Sequence, residues 1–176
     1  MRVRRAGIDD AAAVADIHVR SWQAGYEHVF GAERLATVTV AQRLPRWREI
    51  LAGDEQVCLL AEDDDGRALG WCTVGEGREP DLENAGEVWG IYAAPEAWGT
   101  GAGRALLAAG LDTLAELGFA EASLWVLEDN PRARRFYERE GWTPDGARKQ
   151  DEFLGVTVDE VRYRRTLFSG SDPEGV

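Results

Sequence analysis

The chain is nearly without lysine. Of its 20 basic residues only Lys149 is one, and 32 acidic residues bring the formal charge to −12. That excess repels polyanions, so nucleic acid and acidic lipid surfaces are excluded as partners, while a cationic acceptor is compatible. Histidine and cysteine number two each, and no spacing gathers them into a ligand cluster, so no metal centre is expected. Cys58 and Cys72 fall in separate predicted strands and read as small core residues. His18 and His28 read as structural or surface groups, since no partner pattern accompanies them. Long apolar runs are missing as well. Nothing approaches the ~20 residues of a membrane span, and Met1-Arg2-Val3-Arg4-Arg5 leads into no signal-type apolar core. A cytoplasmic protein with no membrane partner is the expectation.

What is present suffices for one core. Hydrophobic residues make up 44% of 176, with seven tryptophans, and a single domain of that size buries roughly two-thirds of its unfolded surface. One domain over 1–168 is expected, followed by a short polar tail over 169–176.

Arg2 to Arg5 reads as a first strand. Asp9 and Asp10 then supply N-cap chemistry for a helix running to about Gly25. His18, Trp22 and Tyr26 recur every four residues on it and share one stripe. A second helix spans roughly Val40 to Leu51. Val57 to Ala61 and Leu69 to Val74 form a predicted hairpin around the turn Asp63-Asp64-Asp65-Gly66, and a polar loop, Gly75 to Asn84, brings in Glu87. Ala122 to Leu127 is the next strand. Asn130-Pro131 reads as N-cap and first residue of a helix that Gly141 ends. Trp142 to Phe153 and Val158 to Leu167 form a final strand pair. Exposed edge strands would allow a homodimer.

The most informative stretch is Val88-Trp89-Gly90-Ile91-Tyr92-Ala93-Ala94-Pro95-Glu96-Ala97-Trp98-Gly99-Thr100-Gly101-Ala102-Gly103-Arg104. It is a strand stopped by a proline, which cannot donate to the ladder, then a glycine-dense turn, then an amphipathic helix closing at Gly118. Amides unshielded by β-carbons at the positive end of a helix make an anion site, and a phosphate or pyrophosphate is the natural guest. No Gly-Lys-Ser/Thr ends the turn, so it is not a Walker loop. Arg104 and Leu106 stand where a dinucleotide fingerprint needs its third glycine.

Trp98-Gly99-Thr100-Gly101-Ala102-Gly103 after a strand resembles the acetyl-CoA-binding motif of the GCN5-related N-acetyltransferase (GNAT) superfamily, and Leu124 to Glu138 resembles its next strand and helix. The resemblance runs from Arg2 to about Leu167. It departs at Trp98, where the superfamily usually carries Gln or Arg, and so loses one polar cofactor contact. It implies an α/β (α+β) acyl-CoA N-acyltransferase fold, a mixed, mostly antiparallel sheet of six to seven strands flanked by about four helices. It also implies direct acetyl transfer from acetyl-CoA to an amine of a small molecule or peptide; neither cysteine sits in a nucleophile context. A non-catalytic acyl-CoA sensor is the rival reading.

On that resemblance the diphosphate falls to the turn from Trp98 to Arg104, including Gly99, Thr100, Gly101, Ala102 and Gly103. The pantetheine arm falls to the backbone of Ile91, Tyr92 and Ala93, with an amide of Tyr92 or Ala93 open to the oxyanion. Glu87 is the expected base, directly or through water, and a contact to the acceptor, because an ammonium of pKa ~10 must lose its proton before attack; a strand-end surface charge is its other reading. Tyr137, two helical turns beyond Asn130, is the expected acid for the departing thiolate. Asn130 has two open roles, pantetheine contact and helix cap. Trp22 and Tyr26 either line the acceptor pocket or simply pack on the sheet.

Overall fold

The structure, a computed structural model, describes residues 1–167; the expected tail over 169–176 lies outside them. Seven strands form one sheet: β1 (Arg2–Arg5), β2 (Gln56–Glu62), β3 (Ala68–Glu76), β4 (Ala85–Ala93), β5 (Glu121–Leu127), β6 (Thr143–Phe153) and β7 (Val156–Thr166). Their order is β1-β2-β3-β4-β5-β7-β6, so the last strand inserts beside β5 and pushes β6 to the edge. All neighbours are antiparallel except β4 and β5.

Among the described residues six α-helices flank the sheet: α1 (Ala11–Gly25), α2 (Glu27–Phe30), α3 (Ala32–Ala36), α4 (Val40–Ala52), α5 (Ala102–Glu116) and α6 (Pro131–Arg139). The sequence suggests about four. The additional α2 and α3 are single turns, too short for helical periodicity to register. The expected cap at Asp10 also differs. Its carboxylate accepts from the Gly7 amide and pairs with Arg4, and makes no cap bond to α1.

Buried clusters cover both faces of the sheet, with a third around Phe30, Leu35, Leu127 and Val158. On one face α5 and α6 bury Leu106, Leu107, Leu114 and Tyr137 against Cys72, Val74, Val88 and Leu124. On the other, α1 and α4 bury Val14, Ile17 and Trp47 against Leu60 and Trp71. Helix α5 lies so close to β4 that a β-carbon at Gly86 would stand 2.6 Å from Leu114 Cδ2. Gly86→Ala is therefore expected to destabilise the fold by about 1–3 kcal/mol, since a fully packed Leu114 has nowhere to move. Urea unfolding measures it, and an unchanged midpoint would refute the close packing.

Strands β4 and β5 pair over only three positions, Ala85 to Glu87 against Glu121 to Ser123. Past Glu87 no pairing joins them, although β3 continues to pair β4 as far as Ala93. A parallel pair that opens this way leaves polar strand edges without partners inside the molecule. That opening is the candidate functional cleft.

Candidate active site

The cleft has a volume of about 910 Å³ and runs from the turn before α5, between β4 and β5, to the end of α1. At one end stands the glycine turn. Gly99 and Gly101 have φ of +78° and +94°, left-handed values that glycine alone adopts without strain. Gly101 is the N-cap of α5 and offers no side-chain cap. The amides of Gly99, Gly101, Ala102, Gly103 and Arg104 have no backbone partner among the described residues. Thr100 behaves differently from the expectation: both its amide (3.3 Å) and its hydroxyl (2.7 Å) bond the Ala97 carbonyl, so it stabilises the turn from within.

Trp98 also turns inward. Its Nε1 donates to the Ala93 carbonyl at 2.9 Å, and the Arg132 guanidinium from α6 lies 3.6 Å from its ring centroid. A cation held on the ring thus reaches the cleft beside the turn where the superfamily's polar residue is missing. Four arginines line this end, Arg104, Arg132, Arg135 and Arg139. Of these only Arg104 has a carboxylate partner among the described residues, Glu140 at 3.4 Å. In a chain of charge −12 such a concentration of positive charge is anomalous. Sequence reasoning missed Arg132, Arg135 and Arg139, although their spacing of three and four along one helix was open to view.

The strand edge is narrower than expected. The Ala94 amide bonds the Leu69 carbonyl on β3, so by alternation the backbone of Tyr92 also faces β3, and that of Ile91 and Ala93 faces the opening. The Tyr92 amide is accordingly not on the cleft edge. With the Ala93 carbonyl taken by Trp98, the edge consists of Ile91 and the Ala93 amide.

At mid-cleft the side chains of Tyr26, Tyr92, Asn130 and Tyr137 meet. Asn130 does both things expected of it: Oδ1 accepts from the Ala133 amide as a helix cap, and Nδ2 lies 3.4 Å from the Tyr26 hydroxyl. Tyr137 is 8% exposed, packed beside Trp142 and Tyr163, and burial raises its phenol above the usual range. Tyr92 is shifted the same way, by burial and by Tyr26.

The far end is aromatic, with Trp22, Tyr26, Phe30, Trp89, Trp125 and Phe153 on its walls. Trp22 and Tyr26 line the cleft and pack on the sheet at once. His18 is inside the molecule among Trp22, Trp47, Trp71 and Tyr92, and its Nδ1 accepts from Trp47 Nε1 at 3.1 Å. His28 is exposed, its Nε2 2.8 Å from the Asp129 carbonyl. Burial, with Arg43 nearby, lowers the His18 pKa to about 4. The unfolded chain, with His18 near pKa 6.5, therefore binds a proton that the folded chain refuses. Stability is fully present above pH 6.5 and falls toward pH 4, by up to about 3 kcal/mol from this group. The loss is read as the difference in urea stability between wild type and His18→Asn across that window, and parallel curves would refute it.

Glu87 does not reach the cleft. It is 1% exposed, and Arg78 engages both its oxygens: Nε at 3.0 Å and the backbone amide at 3.1 Å on Oε2, and the guanidinium NH2 on Oε1. The buried carboxylate that does line the cleft is Glu160 on β7, which sequence reasoning passed over. The alternation of Val158, Glu160 and Arg162 with Thr157 and Asp159 was the available signal, but it needed the knowledge that β7 lies beside β5.

Comparison with known proteins agrees with this architecture. The sequence model of the acetyltransferase (GNAT) family matches residues 12–142. The uncharacterised N-acetyltransferase YuaI of Bacillus subtilis (strain 168) is 31% identical over 161 residues, covering 90% of this chain and 89% of that protein. A mycothiol acetyltransferase of Kocuria rhizophila is 42% identical over 87 residues, 47% of this chain and only 28% of that longer protein. Among solved structures, YncA of Salmonella typhimurium, a putative acetyltransferase determined with its cofactor acetyl-CoA, superimposes with a TM-score of 0.70 at 22% identity, over 100% of this chain and 99% of that one. The chain belongs to the acetyltransferase (GNAT) family and is an acyltransferase.

Proposed function

We propose that the chain takes an acetyl group from acetyl-CoA and passes it directly to a primary amine of a small molecule or peptide held in the aromatic half of the cleft. The observation that carries this reading is the polarity of the cleft: free amides and arginines at one end, aromatics and a carboxylate at the other, with Tyr137 between. The amides from Gly99 to Arg104, Thr100 excepted, receive the diphosphate, with Arg132 facing them from α6. Ile91 and the Ala93 amide pair with the pantetheine as an added strand would, and the Ala93 amide is the one available to an oxyanion. Tyr137 gives its proton to the sulfur as the C–S bond breaks.

Direct transfer is supported by the state of the thiols. Both cysteines are free and buried, and burial pushes Cys58 up to about 12 and Cys72 higher, so neither is a thiolate nucleophile at neutral pH. Their reduced state fits a cytoplasmic location. No helix among the described residues is long and apolar enough to cross a membrane. The edge strands β1 and β6 offer a second copy a place to seat, a state that size-exclusion chromatography reads directly.

Thiol release from acetyl-CoA with a panel of amines, beside calorimetric titration of acetyl-CoA, tests the reading. Binding with amine-dependent release is expected. Binding without release for any amine would leave a sensor, and no binding would overturn the assignment of the turn.

A further inference from the structure

We propose that the acceptor is a small monocationic amine with a flat apolar body, and that Glu160 receives its ammonium group and removes the proton that blocks attack. This rests on the acetyl-CoA reading above and goes past it to the acceptor class and the base.

The walls at the acceptor end favour such a guest. Trp22 stacks on Phe30 at 5.6 Å with planes 3° apart, and meets Tyr26 at 5.3 Å and Phe153 at 5.9 Å, so the wall is one continuous aromatic surface. Surfaces of this kind recognise apolar bodies by area and cations by the ring quadrupole. Glu160 stands within them, opposite Leu127 on β5 and Lys149 on β6, with the residue 9% exposed. Its one ion-pair partner among the described residues is Lys149 Nζ, 3.5 Å from Oε2. Lys149 is the one described donor acting on it, so its oxygens keep acceptor capacity. Glu87, by contrast, is fully engaged by Arg78. The other acidic residues lining the cleft are Asp129, exposed at the turn before α6, and Glu140, paired with Arg104.

The surrounding charges set the valence of the guest. Lys149 and Asp151 from β6, Arg78 from the loop before β4 and the Tyr26 hydroxyl from the end of α1 are the ionisable groups acting on or lining this position. A first ammonium finds Glu160. A second would find the cation Lys149 nearby, which disfavours polyamines and aminoglycosides. Burial raises the Glu160 pKa and Lys149 opposes that shift, the environment a general base working near neutral pH requires.

The proton balance closes with residues in the cleft. The ammonium gives one proton to the Glu160 carboxylate, and the free amine's lone pair forms the C–N bond to the thioester carbonyl. As the adduct collapses the C–S bond breaks, and the sulfur takes a proton from Tyr137. The nitrogen's second proton restores the Tyr137 hydroxyl, and Glu160 returns its own to solvent. The sum is amide, thiol and one released proton.

The experiment measures kcat/KM over pH 5–9 with phenethylamine, spermidine, kanamycin and an alanine-led tripeptide. Phenethylamine is expected to lead by at least about ten-fold. Glu160→Gln should lower its kcat/KM by about 10²–10⁴-fold and abolish the acidic limb, with acetyl-CoA affinity within a few-fold of wild type. Lys149→Met, which keeps the carboxylate but removes its cation, should move that limb to higher pH. Wild-type rates and limb in Glu160→Gln, an unmoved limb in Lys149→Met, or a lead for the polycations or the tripeptide would overturn the proposal. Failure of acetyl-CoA to bind wild type would instead overturn the reading beneath it.

Discussion

Gly101→Asp is expected to weaken acetyl-CoA binding by at least about 100-fold while leaving the fold close to its original stability. The two effects have one cause. Gly101 is the N-cap of α5 at φ +94°, and the amides that follow it are free. An aspartate there meets a left-handed backbone cost of about 1–2 kcal/mol, partly offset by the ~1 kcal/mol that a carboxylate at an N-cap contributes to its helix. The introduced carboxylate would thus occupy the anion site from within the chain. The diphosphate would lose charge-assisted bonds to amides, each worth about 1.5–3 kcal/mol, and meet a like charge. Gly101→Ala separates the contributions, because it brings the backbone cost without the charge and should bind far better than the aspartate variant. Calorimetry with thermal melts reads both, and normal affinity in Gly101→Asp would show that this turn is not the phosphate site.

Tyr137→Phe is expected to reduce kcat by about 10²–10⁴-fold with acetyl-CoA affinity changed only a few-fold. The ring is held by Trp142 and Tyr163, which phenylalanine would satisfy equally. The hydroxyl makes no hydrogen bond among the described residues, so its removal should be close to neutral for stability. With its pKa raised by burial, the phenol stays protonated throughout the working range. A phenol is a weaker acid than a thiol of pKa ~8.5, so donation to a finished thiolate would be uphill. The transfer becomes favourable only if it is concerted with C–S cleavage and repaid by the acidic N–H of the adduct. In the proposed mechanism Tyr137 therefore acts in the transition state and not in binding, which gives a kcat-only signature. Pre-steady-state thiol release tests it, and unchanged turnover across pH would remove Tyr137 from the mechanism.

The two groups were legible to different degrees. Gly101 announces itself, since glycines between a proline-stopped strand and a helix are a local pattern. Tyr137 is reached by counting two turns from Asn130. Glu87 shows the limit of such counting. The register slips between Thr73 and Val74, where Trp89 is skipped on β4, and the partner Arg78 arrives from a loop whose composition announces no contact. A central-strand carboxylate that looked available is consequently engaged. The same loop holds further fixed points, Glu79 on Trp125 Nε1 and Asp81 on the buried Arg162, none of them visible as spacing.

By itself the sequence determined what depends on neighbours along the chain. It set the strand–turn–helix that presents amides to an anion, the cap at Asn130 and the aromatic stripe of α1, and through these the family. The tertiary structure alone decided which side chains face one another across the opening between β4 and β5. Arg132 meets Trp98, Glu87 is taken by Arg78, and Glu160 enters the cleft because β7 inserts between β5 and β6. Those outcomes depend on pairing between segments far apart in the chain. Local periodicity specifies which face of a strand is buried, but not which strand lies beside it.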